Sequence, residues 1–165
     1  MVTERTRWLD QDQQRSWRAL LMGMTLLRDR LDADLHRLFD LSLPEYEVLV
    51  RLSENNGRLR MAQLADAMAH SRSRITHTIS RMQQAGLVER VESPEDGRGV
   101  VARITDEGME LLVRAAPFHV TGVREYLVDL VSPEDFAAVG RVFDAVSDHL
   151  VECHPAIEMR NPPAT

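Results

Sequence analysis

Within the ten residues from Arg72 to Arg81 the chain places Arg72, Ser73, Arg74, Thr76, His77 and Arg81, and a smaller group, Asp96 and Arg98, follows after a Val-rich stretch. Guanidinium, imidazole and hydroxyl groups at this density suit phosphate oxygens and the hydrogen-bonding edges of bases in the major groove of DNA. An arginine at a hairpin tip, as Arg98 would be, suits the narrow minor groove, where negative potential is concentrated. Enzyme chemistry finds no support. The chain has no Gly-rich phosphate loop, no G-x-S-x-G elbow, no H-E-x-x-H and no paired Cys-x-x-Cys, and no cofactor is expected. His149 and Cys153, with His154 beside them, have an acceptable metal-ligand spacing, but a cluster near a loose C-terminus is read as incidental and no metal is expected.

Groups that read a groove must be held on a rigid element. Met61, Leu64, Ala65 and Met68 recur at helical spacing, and Ser71 is placed to cap a second helix whose apolar face is Ile75, Ile79 and Met82. Gly86 stops that helix. Ser73, His77, Ser80 and Gln84 then lie opposite the apolar face, with Arg74, Thr76 and Arg81 on its flanks. Leu87 to Glu92 and Val100 to Ile104 read as two strands joined by an eight-residue tip, Glu92 to Gly99, that carries Pro94, Asp96, Gly97 and Arg98. The sum is helix, turn, helix and a two-stranded hairpin.

In Leu64-Ala65, the SRSRITHTISRM helix, Gly86-Leu87-Val88-Glu89-Arg90, Asp96-Gly97-Arg98-Gly99 and Ile104-Thr105-Asp106-Glu107-Gly108 the chain resembles the MarR family of bacterial winged helix-turn-helix regulators. The motifs stand in the family's order and spacing, and the likeness runs from about Trp17 to Leu150. It implies a mainly α fold with a small β-hairpin wing, and a homodimer that binds double-stranded DNA at an inverted-repeat operator, most often as a repressor. It also implies release by a small effector, commonly aromatic and anionic, held between the dimerisation helices and the winged helix. Asp96 would orient an arginine at the wing. Thr76 and Arg90 match positions at which the family binds aromatic carboxylates, and Trp17, Met24, Arg28, His36 and Tyr46 lie on elements that could line the same cleft.

Charge is segregated in a way that fits a DNA partner. From Arg58 to Ile104 there are eight arginines and five carboxylates, a net of +3 in a chain at −6, so the remainder stands at −9. All twenty basic residues are arginine, which points to a GC-rich bacterial genome. The single cysteine excludes an intramolecular disulfide. No apolar run approaches the ~20 residues of a spanning helix and no leader is read, so no membrane partner and a cytoplasmic location are expected.

The flanks divide the chain into four stretches. Residues 1–40 read as an N-terminal arm and long helix, with Trp17, Leu20, Leu21, Met24, Leu27, Leu31, Leu35 and Leu38 as its stripe. Residues 41–105 form the DNA-binding lobe, opened by Pro44 and a short helix through Tyr46, Val48, Leu49 and Leu52. Residues 106–154 are C-terminal helices, with a break or kink expected at Pro117 and a last stripe of Phe136, Val139, Val142, Phe143, Val146 and Leu150. Residues 155–165 read as a flexible tail. The first and last stripes are expected to bury against a second subunit. The alternative is a small-molecule-binding or partner-binding module that keeps the fold without reading an operator.

Overall fold

The computed structural model describes residues 6–92 and 99–152. They form six α-helices and one three-stranded antiparallel sheet in a mainly helical winged fold. The first helix, α1 (Gln11–Phe39), begins ahead of its apolar stripe, because Asp10 accepts from the Gln13 N–H at 2.8 Å while the Gln13 side chain accepts from the Asp10 N–H at 3.0 Å. This reciprocal cap satisfies two donors that a helix start otherwise leaves open. Burial on α1 begins only at Leu31 and Leu35. There, Asp34 gathers Arg30 at 3.1 Å, Arg37 at 2.9 Å and the Tyr126 hydroxyl at 2.9 Å, fastening α1 to the far helix α5 (Asp106–Tyr126). The Arg37 hydrogen bond is the main reason that the Asp34 carboxyl lies below the ordinary carboxylate range.

The second helix, α2 (Leu43–Glu54), is the centre of the core, with Leu43, Tyr46, Val48, Leu49 and Leu52 all buried. Its start is over-determined. Glu45 accepts from the Ser42 backbone and hydroxyl at 2.9 and 2.6 Å, and Asp32 of α1 accepts from the Leu43 N–H at 2.7 Å. Around α2 pack α3 (Met61–Ala67) and α4 (Arg72–Gln84), which contribute Leu64, Ala65, Ile75, Ile79 and Met82.

The sheet holds a strand that the hairpin reading lacked. β1 (Arg58–Arg60) pairs with β3 (Val100–Ile104), which pairs on its other side with β2 (Val88–Glu92), giving the order β1-β3-β2. Three residues with a single apolar member, Leu59, are too short a run to show alternation, which is why pattern alone passes over β1. Gly86 takes φ +75, and the chain reverses so that the Leu87 carbonyl accepts from Thr105 N–H and the Gly86 carbonyl from the Thr105 hydroxyl at 2.7 Å. Gly108, one turn into α5, packs so close that an added Cβ would stand 2.1 Å from the Leu87 oxygen. The exit of α4 is thereby seated on the start of α5.

Helix α5 also corrects the expectation of a break at Pro117, since it runs unbroken through that residue. Proline leaves the carbonyl four residues back without its helical donor. Val113 is 64% exposed, so solvent reaches that side of the helix. After a short 3-10 turn, Val128–Leu130, the last helix α6 (Pro133–Glu152) starts with the Ser132 hydroxyl accepting from the Asp135 N–H. No described side chain of α6 is buried. Phe136, Val139, Val142, Val146 and Leu150 of α6 and Trp17, Leu20, Leu21 and Met24 of α1 are all exposed apolar residues. Among the described residues no helix is long and apolar enough to cross a membrane.

Candidate nucleic-acid interface

Helix α4 carries the groups that could meet DNA. Ser71 caps it by accepting from the Arg74 N–H at 3.3 Å, and Ile75, Thr78, Ile79 and Met82 bury one face. That burial turns Arg72, Ser73, Arg74, Thr76, His77, Arg81 and Gln84 outward, and all of these are exposed. Some are already engaged within the helix. Thr76 donates its hydroxyl to the Arg72 carbonyl at 2.8 Å and Ser80 donates to the Thr76 carbonyl at 2.9 Å, so both present only acceptor lone pairs outward.

Two arginines hold the helix in place. Arg90 of β2 reaches across to donate to the Thr76 carbonyl at 2.9 Å, the Ser80 hydroxyl at 2.9 Å and Gln83 Oε1 at 3.1 Å. One planar guanidinium thus spans two turns of α4 with three of its five donors. Arg81 donates to Glu45 Oε1 at 2.9 Å, and the other oxygen of that carboxylate closes the cap of α2. The angle of α4 against the lobe is set from both ends by charge-assisted bonds. The partners of Arg81 and Arg90 lie 36 and up to 14 residues away in sequence, beyond the reach of a local pattern.

Arg72, Ser73, Arg74 and His77 remain with no side-chain partner among the described residues, on the first turn and a half of a capped helix. This is a row of donors on a preorganised scaffold, at the end where the open N–H groups of the helix add positive potential. In the sheet, Arg103 of β3 pairs with Glu89 of β2. Asp96 and Arg98, expected at the wing tip, lie outside the described residues, as do Cys153 and His154.

The residues suggested for an effector are spread over the molecule. Trp17 and Met24 are exposed on the part of α1 that buries nothing, and His36 is exposed in its last turn. Tyr46 is buried, with its ring 4.4 Å from that of His119 of α5, and burial raises its phenol above the ordinary value. Thr76 and Arg90 meet each other through the Thr76 carbonyl. Arg28, which pairs with Glu47 at 3.5 Å, lines an open cleft of about 490 Å³ against α2 and the turn between α3 and α4. A second cleft, about 160 Å³, lies between α1 and α5 beside Asp34, Phe39, Phe118 and Tyr126. Sequence reading named Arg28 for such a cleft but missed most of the walls of both, because they are assembled from elements distant in the chain. Two histidines beside Glu47, His70 and His119, have a buried Nδ1 without a hydrogen-bond partner among the described residues, and burial is the first cause holding each imidazole below its ordinary pKa.

A capped, donor-rich second helix packed on a short first helix, followed by a three-stranded wing, defines the class of winged helix-turn-helix DNA-binding proteins. The MarR family model matches residues 39–99. The chain superposes on AbsC, a MarR family transcriptional regulator from Streptomyces coelicolor, with a TM-score of 0.84 and 41% identity over 88% of this chain and 98% of that one. It superposes on Sco3205, another MarR family regulator from Streptomyces coelicolor solved in complex with DNA, with a TM-score of 0.87 and 36% identity over 98% of both chains. The HTH-type transcriptional regulator YfiV of Bacillus subtilis is 32% identical over 100 residues, 61% of the length of each protein. The chain belongs to the MarR family of DNA-binding transcriptional regulators, and it is not an enzyme.

Proposed function

We propose that this chain is a homodimeric repressor that reads an inverted-repeat operator and is released by a small effector. The observation that carries the reading is the row Arg72, Ser73, Arg74 and His77, exposed and unengaged on a helix whose orientation Arg81 and Arg90 hold. In this reading residues 41–105 are the reading lobe, Arg72, Ser73, Arg74, Thr76 and His77 face base edges and phosphates, and Arg98 with Asp96 serves the minor groove from the wing. Arg81 reaches phosphate from the edge of its pairing with Glu45. The similarity to Sco3205, whose structure holds DNA, supports the docking of α4 in a groove.

The dimer rests on the exposed apolar faces of α1 and α6. Two such faces, one on α1 ahead of Leu31 and one on α6, are costly in water and suit an isologous interface. A two-fold axis then sets two α4 helices about one turn of DNA, ~34 Å, apart. The effector acts by favouring a spacing of the two helices that no longer matches the half-sites, which requires only unequal affinity for two conformations.

The test is a fluorescence anisotropy titration of the full chain with the DNA flanking its own gene, over a salt series. Tight binding whose logarithm falls steeply with the logarithm of salt concentration is expected. Weak, salt-insensitive association by a well-folded dimer would overturn the operator reading.

A further inference from the structure

Pro117 leaves a mark on the solvent side of α5. It removes the donor that the Val113 carbonyl would otherwise meet inside the helix, and Val113 is itself exposed. Met109 and Val113 stand one turn apart on this side and, with Glu110 and Arg114, border an open groove of about 420 Å³. Neither Glu110 nor Arg114 has an ion-pair partner among the described residues. The groove thus combines two apolar side chains, one carbonyl with an open acceptor position and one charge of each sign. At the far end of the molecule, Arg7, Trp8 and Leu9 precede the Asp10 cap of α1. Trp8 is 84% exposed, although the backbone beside it is fixed, because the Leu9 carbonyl accepts from Gln14 Nε2 at 2.9 Å.

One chain cannot bring the two together. α1 and α5 run antiparallel, with Asp34 against Tyr126 and Phe39 against Phe118. At 1.5 Å per residue, Trp8 lies roughly 30 Å beyond Leu31 in one direction and Met109 roughly 20 Å beyond Gly122 in the other, so about 50 Å separates arm and groove. We propose that the arm of a second copy fills the groove, the Trp8 indole N–H donating to the Val113 carbonyl while its ring covers Met109 and Val113. Tryptophan offers the matching chemistry, a large apolar body with a single donor. Arg7 and Asp10, on either side of Trp8 and Leu9, then face Glu110 and Arg114, each opposite in sign. The proposal rests on the dimer reading above and gives the second copy a specific task. Gly108, seated on the exit of α4, directly precedes Met109. The arm of one copy therefore bears on the helix that the other offers to DNA.

The chain has two tryptophans, so in the full chain Trp17→Phe leaves Trp8 as the sole indole reporter. Where sedimentation finds a dimer, Trp8 emission should be blue-shifted and its quenching by acrylamide reduced severalfold, both reverting as dilution yields monomer. Adding Val113→Asp should restore free quenching at concentrations where α1 and α6 still hold the dimer. A charge exchange in the otherwise unaltered chain keeps the test valid if Trp17→Phe perturbs α1. Glu110→Arg should weaken the dimer about tenfold, since each change appears twice about a two-fold axis, and adding Arg7→Glu should restore it. Loss of folding cannot produce that rescue. Trp8 quenched as freely in the dimer as in the monomer, or a charge reversal that Arg7→Glu fails to rescue, would overturn the arm while leaving the dimer standing. A chain that stays monomeric at every concentration would overturn both.

Discussion

The lobe around α2 and the arms formed by α1 and α6 are both built from amphipathic helices, and they use them in opposite ways. In the lobe, Val48, Leu49 and Leu52 are completely buried, and α3, α4 and the sheet close around them. In the arms, twenty residues of α1 precede its first buried one, and α6 has no buried residue among those described. A helix gains most of its stability from the face it buries. The lobe finishes its core inside one chain, whereas the arms leave apolar faces exposed, the faces proposed above for the dimer. The same sequence signal, an apolar stripe at helical spacing, thus marks an internal core in one place and an exposed apolar face in the other.

The sharpest way to break this contrast is one substitution in each region. Leu49→Ala removes a fully buried side chain from the centre of the lobe and should cost about 2–5 kcal/mol, read as a lowered urea midpoint. Val142→Asp, on the exposed face of α6, should leave lobe stability nearly unchanged but shift sedimentation toward monomer. If both variants lost stability together and neither changed its association state, the separation of lobe and arms would be wrong.

A smaller but more localised effect is expected where the regions meet. Gly108→Ala places a methyl group 2.1 Å from the Leu87 carbonyl oxygen, a backbone atom that cannot swing aside. The start of α5 must then shift away from the exit of α4, at a cost of about 1–3 kcal/mol for overpacking. Because that seam joins α4 to α5, anisotropy should report weaker DNA binding even at temperatures where circular dichroism finds the chain folded. Unchanged affinity would mean that α4 is oriented by Arg81 and Arg90 alone.

Acid should act at the two half-buried histidines beside Glu47. His70 and His119 are held below the ordinary imidazole pKa, chiefly by burial. The unfolded chain takes up protons near pH ~6.5 that the folded chain refuses. Their contribution is therefore constant above that pH and begins to be lost as pH falls below it, ahead of the carboxylates. Asp34, whose pKa is lowered, loses its contribution only further down, below its ordinary value. The urea midpoint should decline in two separate stages, and His119→Gln should flatten the upper one. A single decline confined to the carboxylate range would show that both histidines accept protons in the folded state.

Much of α4 was legible because its determinants are local: the Ser71 cap, the spacing of Ile75, Ile79 and Met82, and the stop at Gly86. The family motifs likewise led to the winged fold. What the residues did not disclose depends on distant partners. Nothing near Arg90 in sequence says that it will bridge Thr76, Ser80 and Gln83, and nothing near Arg81 points to Glu45. The cleft beside Arg28 draws Arg51 and Arg74 from two other elements, so its wall is assembled only on folding. At Pro117, the helix-breaking rule was outweighed by an exposed helix side and by continuous packing of Leu111, Leu112 and Ala115 just before it.

Arg81 offers the smallest effect and the finest discrimination. Its side chain is 62% exposed while Glu45 is 14% exposed, so the pair is open to solvent on one side and worth only about 0.2–1 kcal/mol. Arg81→Ala and Glu45→Gln both remove the tether, but they do opposite things to the free guanidinium. If Arg81 serves DNA only by holding α4 at its angle, both variants should lower operator affinity by a similar, modest factor. If it also meets phosphate, Glu45→Gln should release it to do so, and affinity should hold or rise, while Arg81→Ala lowers both the affinity and the salt slope by about one ion. Glu45 also caps α2, so the comparison is made against the stability of each variant measured by urea. The structure, with Arg81 bonded at 2.9 Å but mostly exposed, leads us to expect the second pattern: a residue that positions the helix in the free protein and turns to phosphate when DNA arrives.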